Sequence, residues 1–165
     1  MSRDALPLNA IDTCVFIEAI LPAPSETRQI CYRYLRRLGE TFRFALTAPL
    51  AFEVMAIGKK NRELGEQLID SLTHQLGYPE NIIAHPEPEL FSLVPTILAK
   101  DPRLDPLDAF HLAAAIDARI PVFVTLDSVL LRSEAFRDLP LAVLHPKALL
   151  GRQPRWPPSG GARSK

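Results

Sequence analysis

Apolar positions along the chain fall into two kinds of stretch, short continuous runs and longer segments at helical spacing, and the two kinds alternate. Leu6 to Ile11, broken only by Asn9, predicts a first strand. Ser25 caps a predicted helix to about Leu38, with Ile30, Tyr34, Leu35 and Leu38 as its apolar stripe, and Gly39 stops it. Arg43 to Thr47 is a second strand, and Pro49 opens a helix through Ile57 that Gly58 closes or interrupts. Leu64, Leu68, Ile69, Leu72 and Leu76 continue at helical spacing. Asn81 to Ala84 predicts a short strand, and Glu87 to Lys100 a helix that Pro95 must kink or split. After a turn at 101–104, the segment 106–119 is apolar nearly all round, so it belongs in the core. Pro121 to Thr125 reads as a strand buried on both faces, Asp127 to Arg132 as a short helix, and Leu141 to Leu144 as the last strand. This order predicts a three-layer α/β domain with a mainly parallel central sheet flanked by helices.

Composition narrows the class. A chain of 165 residues, 47% hydrophobic and 23% charged, is enough for one domain and too short for two. The domain is expected over 1–150, with 151–165 a flexible tail rich in Pro, Arg and Gly. No apolar run approaches the roughly 20 residues of a membrane span, and the first residues lack the features of a secretory signal, so the cytoplasm is the expected compartment. Cys14 and Cys31 stand in no metal-ligand pattern and read as free, buried thiols. With 19 basic and 19 acidic residues, bulk charge gives no attraction for a polyanion, and local patches or bound cations would have to supply it.

The informative feature is where isolated acids stand. Asp12 follows the first strand directly and Asp127 follows the buried strand in the same way, which brings both to the carboxyl edge where open α/β sheets bind ligands. Glu53 is the one charged residue between Thr47 and Ile57, and Asp108 is the first acid inside the apolar helix that starts at Pro106. Unpaired buried carboxylates cost several kcal/mol each, and four in one pocket would repel one another into protonation. Hard divalent cations such as Mg²⁺ or Mn²⁺, with oxygen ligands and retained waters, resolve that conflict. Such an ion makes its water a better nucleophile and neutralises charge on phosphoryl oxygens, so the four acids predict phosphodiester hydrolysis without a nucleophilic side chain.

The segments around Asp12, around Glu53, from Asp105 through Asp108 to Ala115, and from Val124 to Asp127 resemble the four acidic signatures of the PIN-domain family, in order and at similar intervals. The resemblance spans residues 7 to 146 and includes the VapC-type toxins of toxin–antitoxin pairs, which are ribonucleases. It implies that Asp12, Glu53 and Asp108 ligate the metal, that Asp127 completes the site or holds a second ion, and that Thr125 orients a carboxylate or water. It further implies a metal-dependent endoribonuclease, the toxin of a type II pair, which forms a homodimer and has a cognate antitoxin that fills the acidic cleft.

Other readings of single residues stand beside these. Asp105 before Pro106 is explained as a helix cap and is an accessory of the site at most. His111, three residues after Asp108 and so able to share its helical face, invites a catalytic or ligand role, but the preferred reading is a structural histidine hydrogen-bonded within the core. Arg28, Arg33, Arg36 and Arg37 crowd one helix and offer a surface for RNA phosphates, although most such faces are merely solvated. The rival functions are a catalytically inactive PIN-like RNA-binding or regulatory module, and a nucleotide-binding domain of another family, against which the lack of any phosphate-cradling glycine loop argues.

Overall fold

The computed structural model describes residues 6–22 and 24–151. Five strands form one parallel sheet, β1 (Leu8–Ile11), β2 (Arg43–Leu46), β3 (Ile82–Ile83), β4 (Val122–Val124) and β5 (Ala142–Leu144), in the order β3-β2-β1-β4-β5. Eight α-helices lie among the described residues: α1 (Thr13–Ile20), α2 (Glu26–Leu35), α3 (Ala48–Lys60), α4 (Arg62–Leu76), α5 (Leu90–Leu98), α6 (Pro106–Asp117), α7 (Ser128–Arg132) and α8 (Pro146–Leu150).

Side-chain alternation along the strands divides the core into two layers. Ile11, Phe44, Val122 and Val124 pack with Val15 and Phe16 of α1, Tyr34 and Leu35 of α2, Leu50 and Val54 of α3, and Leu68 and Leu72 of α4. Ala10, Ala45 and Phe123 face the opposite way, onto Leu90 and Ile97 of α5, the apolar body of α6, and Leu130 of α7. The domain is therefore the expected three-layer α/β arrangement, and the all-round apolarity of α6 has its reason: Ala109, Leu112, Ala113 and Ala115 are fully buried. Among the described residues no helix is long and apolar enough to cross a membrane.

Several local expectations change. The segment after Asp12, left without an element in the pattern above, is α1; it is eight residues long and mostly apolar, with Val15 and Phe16 buried in the core and the helix packed against α2. Gly58 neither closes nor interrupts its helix, which runs on to Lys60, and Asn61 both ends α3 and caps α4 by accepting from Leu64 N. The two helices meet there: a Cβ placed on Gly65 would lie 2.3 Å from Gly58 Cα, whereas one on Gly58 would meet Gly65 Cα at an ordinary 3.6 Å, so α3 and α4 touch backbone to backbone and Gly65 is the residue that must lack a side chain. Pro95 does not split its segment, which forms one helix from Leu90 to Leu98 with the proline inside. Beyond β5, α8 closes the domain by packing on α2. Both cysteines are free as expected, Cys31 buried and Cys14 half-buried. The tail expected over 151–165 lies outside the described residues apart from Gly151.

Candidate metal centre

Connections from β1 lead away to one side through β2 and β3, then return across the sheet to β4 and β5, so the chain reverses between β1 and β4. A crevice opens at such a reversal, outside the carboxyl ends of the strands. Asp12 stands there, its amide bonded to Val124 O at 2.9 Å. Its Oδ1 caps α1 through Cys14 N at 3.4 Å, and its Oδ2 accepts a hydrogen bond from Thr125 Oγ1 at 2.6 Å. Thr125, fully buried, uses the same hydroxyl oxygen to accept from Asp127 N at 2.9 Å and so ties the two strand-end acids together. Asp127 in turn caps α7, with Oδ1 accepting from Val129 N at 2.5 Å and Leu130 N at 3.2 Å.

The other acids arrive from both helical layers. Glu53 comes from α3 on one face of the sheet, and Asp108 and His111 come from α6 on the other. Glu53 Oε2 accepts from Thr13 Oγ1 and meets His111 Nε2 at 3.0 Å. Burial pushes the Glu53 carboxyl up, but hydrogen bonds from His111 and Thr13 outweigh it and hold the group below the usual carboxylate range. Asp108 has no such donors among the described residues. Burial, then the charges of Asp12, Asp127 and Asp105, lift its carboxyl to about 6. That response places Asp108 within electrostatic reach of the strand-end acids.

One oxygen each from Asp12 and Glu53 and one ring nitrogen of His111 lie within 4.8 Å of one another. The donors fit a cation: two acidic oxygens meet beside an imidazole, and the half-buried Asp108 carries an electrostatic penalty that positive charge would relieve. Asp12, Glu53 and His111 are the groups close enough together to share an ion, and Asp108 stands within electrostatic reach of Asp12.

Two residues of this arrangement are not among the expected site residues, Thr13 and His111. Thr13 simply follows Asp12 in sequence, and nothing in its surroundings marks it. His111 is buried, 2% exposed, as the core reading expects, yet its hydrogen-bond partner is Glu53 rather than a core group. The signal was its spacing, three residues beyond Asp108 and so on the same helical face. Asp105 is the cap that Pro106 implies, accepting from Leu107 N at 2.8 Å, and reaches the centre only through its charge on Asp108.

The arginines are spread along α2 rather than gathered beside the acids. Glu26, at the start of the helix, bonds Lys147 Nζ at 3.1 Å just past β5, whereas the far end leads to the Leu38–Phe42 bridge that precedes β2. Arg36 and Arg37 consequently lie toward the amino-terminal edge of the sheet, opposite the crevice, and Arg37 Nη1 donates to Leu150 O at 3.2 Å. Arg28, nearest the cap, is half-buried, and Arg33 is exposed.

Comparison with known proteins agrees with this reading of the fold. A family model described as PIN domain matches residues 10–134. The chain is similar in structure to one in the crystal structure of FitAcB from Neisseria gonorrhoeae, with a TM-score of 0.55 and 20% identity, over 84% of this chain and 98% of that one. No curated protein matches the sequence. The match over residues 10–134, joined to a parallel sheet whose reversal point gathers acids from both helical layers, establishes that this chain belongs to the PIN-domain family.

Proposed function

We propose that the protein is a metal-dependent endoribonuclease of the cytoplasm, the toxin of a type II toxin–antitoxin pair. The observation that carries the reading is the meeting of an Asp12 oxygen, a Glu53 oxygen and a His111 ring nitrogen within 4.8 Å, beside an Asp108 carboxyl that burial and then the charges of Asp12, Asp127 and Asp105 lift to about 6. A pocket of mutually repelling carboxylates is stable and useful when cations are part of its working state. The family, whose members are generally nucleases, supports the class of reaction.

Asp12, Glu53 and Asp108 hold the ion through carboxylate oxygens, and Asp127 completes the site or serves a second ion. Thr125 and the Cys14 amide hold the two oxygens of Asp12, and Thr13 holds Oε2 of Glu53, so both acids are fixed in place. When bound, Mg²⁺ or Mn²⁺ supplies an activated water and offsets charge on the phosphoryl oxygens. The protein's share is to hold that charge in a crevice against an RNA backbone; the arginine of α2 nearest the crevice, Arg28, is the first of the four to test for phosphate contact, ahead of Arg33, Arg36 and Arg37.

The test is cleavage of a fluorescent RNA by purified protein with Mg²⁺, with Mn²⁺ and with chelator. Asp12→Asn is expected to abolish cleavage while far-UV circular dichroism stays unchanged. A fully active Asp12→Asn protein, or cleavage that survives chelation, defeats the reading. The toxin assignment predicts growth arrest on expression, relieved by the product of an adjacent reading frame, and the homodimer predicts twice the monomer mass in solution.

A further inference from the structure

We infer that His111 is a positioning residue that donates to Glu53 and does not itself ligate the cation. The inference rests on the metal-centre reading above and assigns a division of labour within it. Distance alone would allow a ligand, because a ring nitrogen lies within 4.8 Å of the Asp12 and Glu53 oxygens. The count of protons decides otherwise.

His111 Nε2 sits 3.0 Å from a carboxylate oxygen, and a carboxylate is an acceptor, so Nε2 carries hydrogen. Nδ1, on the other side of the ring, is buried and has no hydrogen-bond partner among the described residues. If the proton were on Nδ1, the fold would bury an orphaned donor and also set the Nε2 lone pair against the Glu53 oxygen, two penalties at once. With the proton on Nε2, only a weak acceptor is left bare. A histidine that ligates a metal uses the reverse arrangement: one nitrogen gives its lone pair to the ion, and the other donates N–H to a carbonyl or carboxylate. No acceptor stands at Nδ1 to play that part.

Glu53 Oε2 then receives two donors, Thr13 Oγ1 and His111 Nε2, which occupy its lone-pair directions. Oε1 is the oxygen left for the cation. The ligand set contributed by this chain is all oxygen, which suits hard ions.

Two measurements test this. Long-range ¹H–¹⁵N spectra of protein labelled in histidine, taken without metal, read the tautomer directly: Nε2–H is expected, retained on saturation with Mg²⁺, and an Nδ1–H tautomer overturns the inference. Mn²⁺ titrations followed by electron paramagnetic resonance, with pulsed spectra of ¹⁴N- and ¹⁵N-histidine protein, should give no directly coordinated nitrogen; such a coupling overturns it as well. His111→Gln, which keeps an N–H near the Nε2 position, is expected to bind Mn²⁺ about as tightly as the wild type, and His111→Leu about 10- to 100-fold more weakly. Equal binding by wild type and His111→Leu overturns the positioning role. Failure of the wild type to bind Mn²⁺ at all counts against the metal-centre reading instead, and the metal-free tautomer still judges the donor.

Discussion

Replacing Asp108 by Asn should make the metal-free protein more stable, although it removes a proposed ligand. The Asp108 carboxyl rises from an ordinary 3.8 to about 6 in the fold. A shift of roughly two units corresponds to about 3 kcal/mol if nothing screens it. Asp108 is only half-buried, and solvent screening reduces the figure to about 1.5 kcal/mol. Its place in the first turn of α6 returns about 0.5 kcal/mol through the helix dipole, which Asn gives up. A net gain of about 1 kcal/mol is left, or roughly 2 to 4 °C in Tm for a domain of this size. Because the folded protein holds this proton more tightly than the unfolded chain, the penalty is complete above a pH of about 6, fades between about 6 and 4, and vanishes below. Thermal unfolding followed by circular dichroism in chelator should therefore place Asp108→Asn above the wild type at about pH 7.5 and level with it near pH 3.5. Saturating Mg²⁺ should reverse the order, since a ligand stabilises only the protein that binds it. If Asp108→Asn is no more stable than the wild type at about pH 7.5, or if its advantage persists at about pH 3.5, the reasoning from burial and acid repulsion is wrong.

Further expectations follow from the same geometry. Cation affinity should be flat above a pH of about 6 and fall up to tenfold per unit below it, as the ion competes with a proton on Asp108; calorimetric titration with Mn²⁺ that gives one affinity from about pH 7.5 to 5 would contradict this. Thr125→Val keeps the shape but loses the hydroxyl between Asp12 and Asp127, and should weaken Mn²⁺ binding about 10- to 100-fold in the same titration. Asn81→Ala, far from the centre, should cost about 2 kcal/mol in urea unfolding, because the buried side chain accepts from Phe44 N at 2.6 Å and donates to Gln75 O at 2.7 Å; an unchanged midpoint would show those groups satisfied elsewhere.

The strands and the buried α6 were readable because apolar runs of different length carry different periods, and the strand-end acids because β-sheets of this kind expose their ligands at one edge. Glu53 was conspicuous as a lone charge in an apolar helix. What stayed hidden depended on contacts between residues far apart in sequence. Thr13 becomes part of the centre only because α3 crosses the start of α1, and His111 acquires its partner 58 positions away. Helix α1 escaped notice since a short, mostly apolar segment offers little polar stripe to betray its period. Gly58 looked like a terminator because glycine is a poor helix former, and only the neighbouring helix reveals that the chain runs on past it and packs Gly65 against its backbone. The basic residues of α2 could be counted in sequence, but not their distribution between the two ends of the sheet.

That glycine pair reaches further than its chemistry suggests. Glu53 lies five positions before Gly58 on the same rigid rod, about 7.5 Å along its axis. A methyl group on Gly65 would have to wedge the two rods apart at one end, because the obstacle it meets is main chain and cannot swing aside as a side chain could. The resulting tilt would be felt at the acid as a displaced oxygen. Clearance between two helices, at a spot where main chain meets main chain, thereby sets the aim of a carboxylate a turn and a half away.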